Sequence, residues 1–327
     1  MRLTAGPSSR DEHAGTGLRS PRIVVVLLAL SAATAFALGT VLQQKGTLED
    51  VGAGDQGAGG LRFLTQLLTR PMWLLGGAVT AVGAVLNAVA LHLGTLAGVQ
   101  ALTTLSLVIA LPFGAWLTDQ RITRTVVLGA LAVAVGIVLF VTVGSPQPGT
   151  TAPSSADWWT AGLISVVLAG IVASVGARKR GGMQAALFGA GAGLGFGLAS
   201  ALTKQFTGLF GNGLLALLGS WELWALLAAG LVGLALGQSA LRTGALAAAM
   251  AATNAATLLS SVTLGITVFG ERLHHGNGRL VLVIAALAVV LVGVLLLARA
   301  PLPEPRTPPA SADGAKSAAG TAPPPVS

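Results

Sequence analysis

Apolar runs long enough to cross a bilayer recur along the whole chain, each closed by a short polar or charged segment. Uncharged blocks occupy 23–44, 71–118, 125–156, 158–177, 181–203, 223–241, 243–270 and 280–298. A helix rising 1.5 Å per residue needs about 20 apolar residues to cross a hydrocarbon core of about 30 Å. The pattern therefore predicts nine helical spans, over 23–43, 72–92, 95–117, 124–143, 158–177, 184–203, 222–241, 244–268 and 279–299. The block 71–118 is too long for one span and must fold back on itself, with Gly94 at the turn. Trp73, Trp116, Trp158, Trp159, Trp221 and Trp224 all fall at span ends, where aromatic belts meet the headgroups. The expected fold class is all-α, a polytopic membrane bundle.

Composition narrows the class further. Of 327 residues, 53% are hydrophobic and 9% are charged, whereas soluble domains carry about a quarter charged residues. A soluble globular protein is excluded, and so is disorder in the body of the chain, which requires low hydrophobicity with high net charge. The formal charge of +8 comes from basic residues standing singly or in short loop clusters. They read as cytoplasmic anchors, with no nucleic-acid partner. An N-out, C-in placement puts 12 of the 19 Lys and Arg on inner segments, although Arg19 and Arg22 oppose it. With no Cys in the chain, disulfides, thiolate catalysis and Cys-ligated metals are absent. The preference for Arg over Lys and the wealth of Ala, Gly, Leu and Val suggest a high-GC bacterium and a multi-pass protein of its cell (plasma) membrane. Residues 1–22 and 301–327, rich in Pro, Gly, Ser and Ala without apolar periodicity, read as disordered tails.

The chain also repeats itself. Shifted by 150 residues, Val82–Thr104 falls on Val232–Asn254 with ten identities: Val82, Gly83, Leu86, Ala90, Leu91, Gly94, Leu96, Ala97, Ala101 and Thr103. At slightly different offsets, Phe36–Lys45 faces Phe196–Gln205, and Gln120-Arg121-Ile122 faces Glu271-Arg272-Leu273. Spans 1–4 thus correspond to spans 6–9, with span 5 between them. The domain plan is a tail (1–22), a first repeat (23–143), a linking fifth span (144–183), a second repeat (184–300) and a tail (301–327). An offset of five spans, an odd number, makes the second copy enter the membrane from the opposite side. Inverted repeats of this kind characterise transporters that alternate access around a site at the repeat interface. Residues 19–37 have the outline of a signal peptide, but Phe36–Lys45 has a counterpart in the second half, so this segment is expected to stay as the first helix.

Two copies of a small helical unit, a lysine near the end of the first helix of each (Lys45, Lys204), tight turns at Gly94 and Gly244, and Gly270-Glu271-Arg272-Leu273 together resemble the drug/metabolite transporter superfamily (EamA-like). Leu38–Gly46 followed by Met72–Leu91 is similar to its branch of NIPA-type magnesium transporters. The resemblance covers residues 23–300 and implies secondary transport through a bundle of inverted repeats. Nine spans are readable here, where many members have ten.

All eleven acids lie in tails, loops or span ends, so no buried carboxylate is expected to bind a cation or carry a proton. Magnesium favours oxygen ligands, usually one or two carboxylates with retained waters. The distribution of acids therefore argues against the magnesium chemistry that the resemblance implies, and no metal set is expected. Glu271 beside Arg272 reads as a loop ion pair or topogenic element. The candidate substrate-binding residues are the intramembrane polar ones: Gln43, Gln44, Lys45, Asn87, Gln100, Thr103, Lys204, Gln238 and Asn254. A polar group in hydrocarbon must face protein or a water-filled cavity, which makes each a functional candidate. Lys45 and Lys204, in near-equivalent places, could present positive charge to an anionic or zwitterionic substrate; snorkelling to the headgroups accounts for them as well. The amides serve equally as interhelical hydrogen-bonders. Gly189, Gly193 and Gly197, with Gly191 and Gly195, are spaced for close helix approach. Residues 61–69 and 213–220 read as interfacial helices or span extensions.

Walker, GxSxG and HExxH motifs are absent, so neither an enzyme nor a cofactor is expected. The expected partners are a small-molecule or ion substrate, the lipid bilayer and a second copy in a homodimer. The leading expectation is a secondary transporter of a small polar metabolite or ion; a non-transporting membrane scaffold is the alternative of a different class. Inversion predicts that reporter fusions placed at Gly94 and at Gly244 read opposite sides of the membrane. The same side for both would remove span 5 as a true crossing.

Overall fold

The computed structural model describes residues 19–48, 70–118, 123–150, 153–243, 246–273 and 279–298. Over these residues the chain forms α1 (Arg19–Leu48), α2 (Pro71–Leu93), α3 (Leu96–Thr103), α4 (Ser106–Thr118), α5 (Arg124–Gly144), α6 (Ser155–Ala177), α7 (Gly181–Thr207), α8 (Leu214–Gly219), α9 (Trp221–Leu241), α10 (Leu246–Thr267) and α11 (Arg279–Ala298). A 3-10 turn at Phe210–Asn212 and one antiparallel bridge between Gln147 and Arg272 complete it. Among the described residues, seven helices are long and apolar enough to cross a membrane: α1, α2, α5, α6, α7, α9 and α10. The apolar stretches Leu96–Ala110 and Leu280–Leu296 are shorter. Large apolar side chains such as Val85, Leu131, Val166, Leu231 and Val281 point outward on helix after helix. Such a surface needs lipid as its solvent. The chain is a multi-pass helical membrane protein.

Local chemistry sets the helix starts. Pro71 opens α2, where a missing N–H costs nothing. Thr95, Thr123 and Ser154 cap α3, α5 and α6 by accepting from Gly98, Val126 and Asp157 N–H. Ser154 and Asp157 form a reciprocal capping box.

One span departs from the sequence expectation. The stretch 95–117, read as continuous, is two helices, α3 and α4, broken at Thr104 and Leu105. The Gln100 carbonyl there accepts from the Thr104 N–H and from the hydroxyls of Thr103 and Thr104. Leu105 and Leu107 reach back only three residues, to Leu102 and Thr104. Threonine hydroxyls competing for helix carbonyls bend the ladder in this way, and Pro112 inside α4 removes a further donor. Residues 19–22, expected to belong to the disordered tail, instead open α1; residues 1–18, 61–69, 301–327 and Gly244 lie outside the described residues. Residues 214–219 form the separate short helix α8, with Leu215 and Leu218 exposed.

The helices approach closely because glycines line their contacts. α7 is the most buried of the seven. Its Gly189, Gly193 and Gly197 face α10, against Ala249, Thr253 and Ser260, while Gly191 and Gly195 face α9, against Leu236 and Gly233. A Cβ on Gly195 would lie 3.0 Å from the Gly233 backbone. α1 packs along α2 as α7 packs along α9, and α5 packs along α11. The duplicated positions repeat one contact. Phe36 of α1 covers Gly83 of α2, and Phe196 of α7 covers Gly233 of α9, at 3.0 and 2.9 Å from an added Cβ.

One end of the bundle is knit by a single apolar cluster. Ala29 comes from α1, Ala90 and Leu91 from α2, Leu96 and Val99 from α3, Trp158 from α6, Leu198, Ala201 and Leu202 from α7, and Leu264, Val268 and Phe269 from the end of α10. Trp158 meets Trp221 and Phe269 edge-on at 5.7 and 5.8 Å.

Overpacking costs about 1–3 kcal/mol, so Gly83→Val and Gly233→Val are both expected to lower the thermal midpoint of the detergent-solubilised protein. Gly230→Val, at a position with nothing within 4 Å, is expected to change it by no more than about 0.5 kcal/mol. Equal losses at all three positions would show that the Phe–Gly contacts are not the cause.

Candidate functional site

The polar centre of the molecule lies in that knit end. Past α10 the chain turns at Gly270, whose φ of +60° suits glycine, and Glu271 folds back to donate its N–H to the Gly265 carbonyl at 2.8 Å. The turn carries the Glu271 side chain inward until it is fully enclosed. Gly265 leaves the room, since a Cβ there would lie 2.6 Å from Glu271 Oε2.

The carboxylate sits on the N-terminus of α3. Its Oε1 accepts from the Leu96 N–H at 2.5 Å and its Oε2 from the Ala97 N–H at 3.0 Å, while Thr95 takes the next donor, Gly98, at 3.1 Å. The first three amides of α3, which have no intrahelical partner, are thus satisfied by side chains. The negative charge also faces the positive end of the helix dipole.

The counter-charge is Lys204, from the last turn of α7. Its Nζ lies 3.0 Å from Glu271 Oε1, donates to the Gly94 carbonyl at 2.6 Å, and stands 5.3 Å from the centre of the Phe269 ring. Only glycine fits at 94, because a Cβ would meet Val25 at 2.6 Å and the Ala90 carbonyl at 3.0 Å. The constellation joins three parts of the chain: the α2–α3 turn, the end of α7 and the segment after α10. A second connection holds the same segment. Gln147 and Arg272 exchange backbone bonds at 2.9 and 3.3 Å, and the Thr150 N–H donates to the Phe269 carbonyl at 2.7 Å.

Two expectations fail here. Carboxylates are buried after all, with Glu271 2% and Glu222 8% exposed. Glu271 pairs with Lys204 rather than with adjacent Arg272, which is exposed and engaged through its backbone. Adjacency in sequence suggested the Arg272 pair, but the turn at Gly270 sends the neighbouring side chains to different surroundings. The available signals were Lys204 at an apolar span end and the Glu271 motif already singled out by resemblance.

The nine expected site residues are not drawn into one cluster. Lys204 is in the pair. Gln100 and Thr103, both buried, meet each other on α3 at 3.1 Å. Gln43, at the far end of α1, donates to Thr80 at 3.5 Å. Asn254 donates to the Met250 carbonyl of its own helix at 2.9 Å. The buried Oδ1 of Asn87 has no hydrogen-bond partner among the described residues. Lys45 and Gln238 are half-buried, and the Gln44 side chain lies outside the described set. A cavity of about 510 Å³ runs between α6, α7 and α10, and none of the nine lines it.

The chain is similar to an uncharacterized protein of Corynebacterium glutamicum, 29% identical over 281 residues, which cover 85% of this chain and 95% of that protein. No family model and no solved structure matches.

A buried pair broken on one side leaves an uncompensated charge, at a cost of about 3–5 kcal/mol. Lys204→Met and Glu271→Gln are each expected to destabilise the purified protein by that order, read as loss of thermal midpoint. The double variant should lose clearly less than the sum. Additive losses would mean that the two side chains act separately.

Proposed function

We propose that this chain is a secondary transporter of the drug/metabolite type, moving a small polar metabolite or ion across the bacterial plasma membrane by alternating access, with the Lys204–Glu271 pair closing one end. The observation that carries this reading is the pair itself, a lysine and a fully enclosed glutamate placed where the two duplicated halves meet. Ionisable residues within membrane bundles are costly, and they mark pathways more often than they serve packing. Lys204 and Glu271 come from the second copy, whereas Gly94, Leu96 and Ala97 come from the first. Separating the halves at this end therefore requires the pair to leave the Gly94 carbonyl and the Leu96 and Ala97 amides.

The duplication supports the same reading. The matched contacts of Phe36 on Gly83 and Phe196 on Gly233 fit two copies of one unit. By that alignment Lys45 falls one place from Lys204, and Gln120 falls on Glu271. The aligned position in the first half thus carries an amide where the second half carries the acid. Under the N-out placement, the end with the ion pair is the outer one. The polar groups of the middle, Asn87, Gln100 and Asn254, are then the ones positioned to meet a substrate between the halves.

The test uses the absence of native cysteine. Single cysteines at Asn87, Gln100 and Asn254, in reconstituted protein, are exposed to an impermeant maleimide from each side. Labelling is expected from one side in the parent chain. In a Glu271→Gln background, labelling should rise at least several-fold from the side bearing Trp158. If none of the three ever reacts from either side in either background, there is no water path between the halves and the scaffold reading replaces this one.

A further inference from the structure

The cavity between α6, α7 and α10 belongs to none of the machinery above, and its walls specify a ligand. Span 5, which is α6, has no counterpart in the duplication. It lies along α7 but barely touches α10, which leaves a wedge of about 510 Å³. That volume lies within the range of sites for drug-sized molecules, about 300–1,000 Å³.

The wedge opens sideways. Ile164, Leu168 and Leu259 line it and are also 54%, 44% and 38% exposed on the apolar outer surface. An occupant therefore enters from the lipid rather than from water. The wedge also has a defined depth. From Asp157, in the first turn of α6, to Leu168 is 11 residues, or about 16 Å of helix. That is close to half of a hydrocarbon core of about 30 Å, the reach of one chain in one leaflet.

Inside, two hydroxyls call for a partner. Ser165 and Ser260 line the wedge at 8% exposure each, and neither has a hydrogen-bond partner among the described residues. The threonines of the wall differ, since Thr160, Thr263 and Thr267 donate to the carbonyls of Ala156, Leu259 and Thr263 on their own helices. Their oxygens are not among the fully enclosed atoms and so keep a face open to the wedge, where a hydrogen-bond acceptor carried into the apolar slot would pair with them. At the mouth, Asp157 binds Ser154 through its N–H and hydroxyl and has no basic partner among the described residues. Its charge disfavours an anionic head.

We infer that this wedge is a binding site for a neutral, single-chain membrane amphiphile, whose chain lies along Ile164, Leu168 and Leu259 and whose carbonyl accepts from Ser165 and Ser260. The site stands apart from the Lys204–Glu271 pair and does not rest on the transport reading.

The full chain in nanodiscs is incubated with a photoactivatable, clickable monoacylglycerol, and in parallel with the corresponding fatty acid. Adducts are mapped by mass spectrometry. The expected result is saturable monoacylglycerol labelling on α6 and α10, competed by unlabelled monoacylglycerol and weaker for the fatty acid. Ser165→Ala with Ser260→Ala is expected to raise the half-saturating concentration roughly fivefold or more, as loss of two neutral hydrogen bonds implies. Asp157→Asn should bring the fatty acid up to the neutral probe. Thr263→Phe fills the wedge and should abolish the saturable component; the serine variants keep the test intact if that bulkier change fails to fold. Labelling that never saturates and spreads evenly over the outward helix faces, or that the serine variants leave unchanged, would overturn the assignment.

Discussion

A lysine and a glutamate removed from water together set the terms on which this bundle assembles. An isolated charge in a low-dielectric interior costs several kcal/mol even after relaxation, and attraction offsets this only when the geometry is good and the remaining donors and acceptors are filled. Each requirement is met by a named part of the chain. Two amides of α3 and the lysine take the carboxylate, the Gly94 carbonyl takes a second lysine proton, and Phe269 covers the ammonium. The positions of the α2–α3 turn, the last turn of α7 and the segment after α10 follow from those contacts. So does Gly265, where a Cβ would meet the Glu271 carboxylate, while at Gly94 a Cβ would meet Val25 and the Ala90 carbonyl.

The rest of the bundle is held by close backbone approach. In lipid the hydrophobic effect gives helices no reason to associate, so small residues and van der Waals contact take its place. α7 shows this most fully, with one glycine edge against α10 and another against α9. Outward-facing side chains are large and apolar, while the side chains at these contacts are small or absent. The polar interactions are thereby left to concentrate at one end.

Much of this was readable from the chain. Length and hydropathy specify most of the helices, because a membrane span is a strong one-dimensional signal, and the i, i+4 glycines of α7 announced a packed helix. The break at Thr104 was not readable, since the uncharged apolar run continues through it and the competition for the Gln100 carbonyl is a matter of geometry. The pair was hidden for a different reason. Lys204 and Glu271 are 67 residues apart, and their juxtaposition depends on a glycine turn that no periodicity reveals. Nor could sequence show which of the intramembrane amides satisfy themselves locally, as Gln100 does with Thr103 and Asn254 with Met250.

The short backbone ladder between 147–150 and 269–272 has a mechanical meaning. The loop that supplies Gln147 and Thr150 leads from α5 into α6, and the strand-like stretch that receives them carries the buried glutamate. Three main-chain hydrogen bonds make these two connections a single hinge leaf. The ladder ties the segment that carries Glu271 to the loop leading into α6, whose first turn lines the wedge through Asp157.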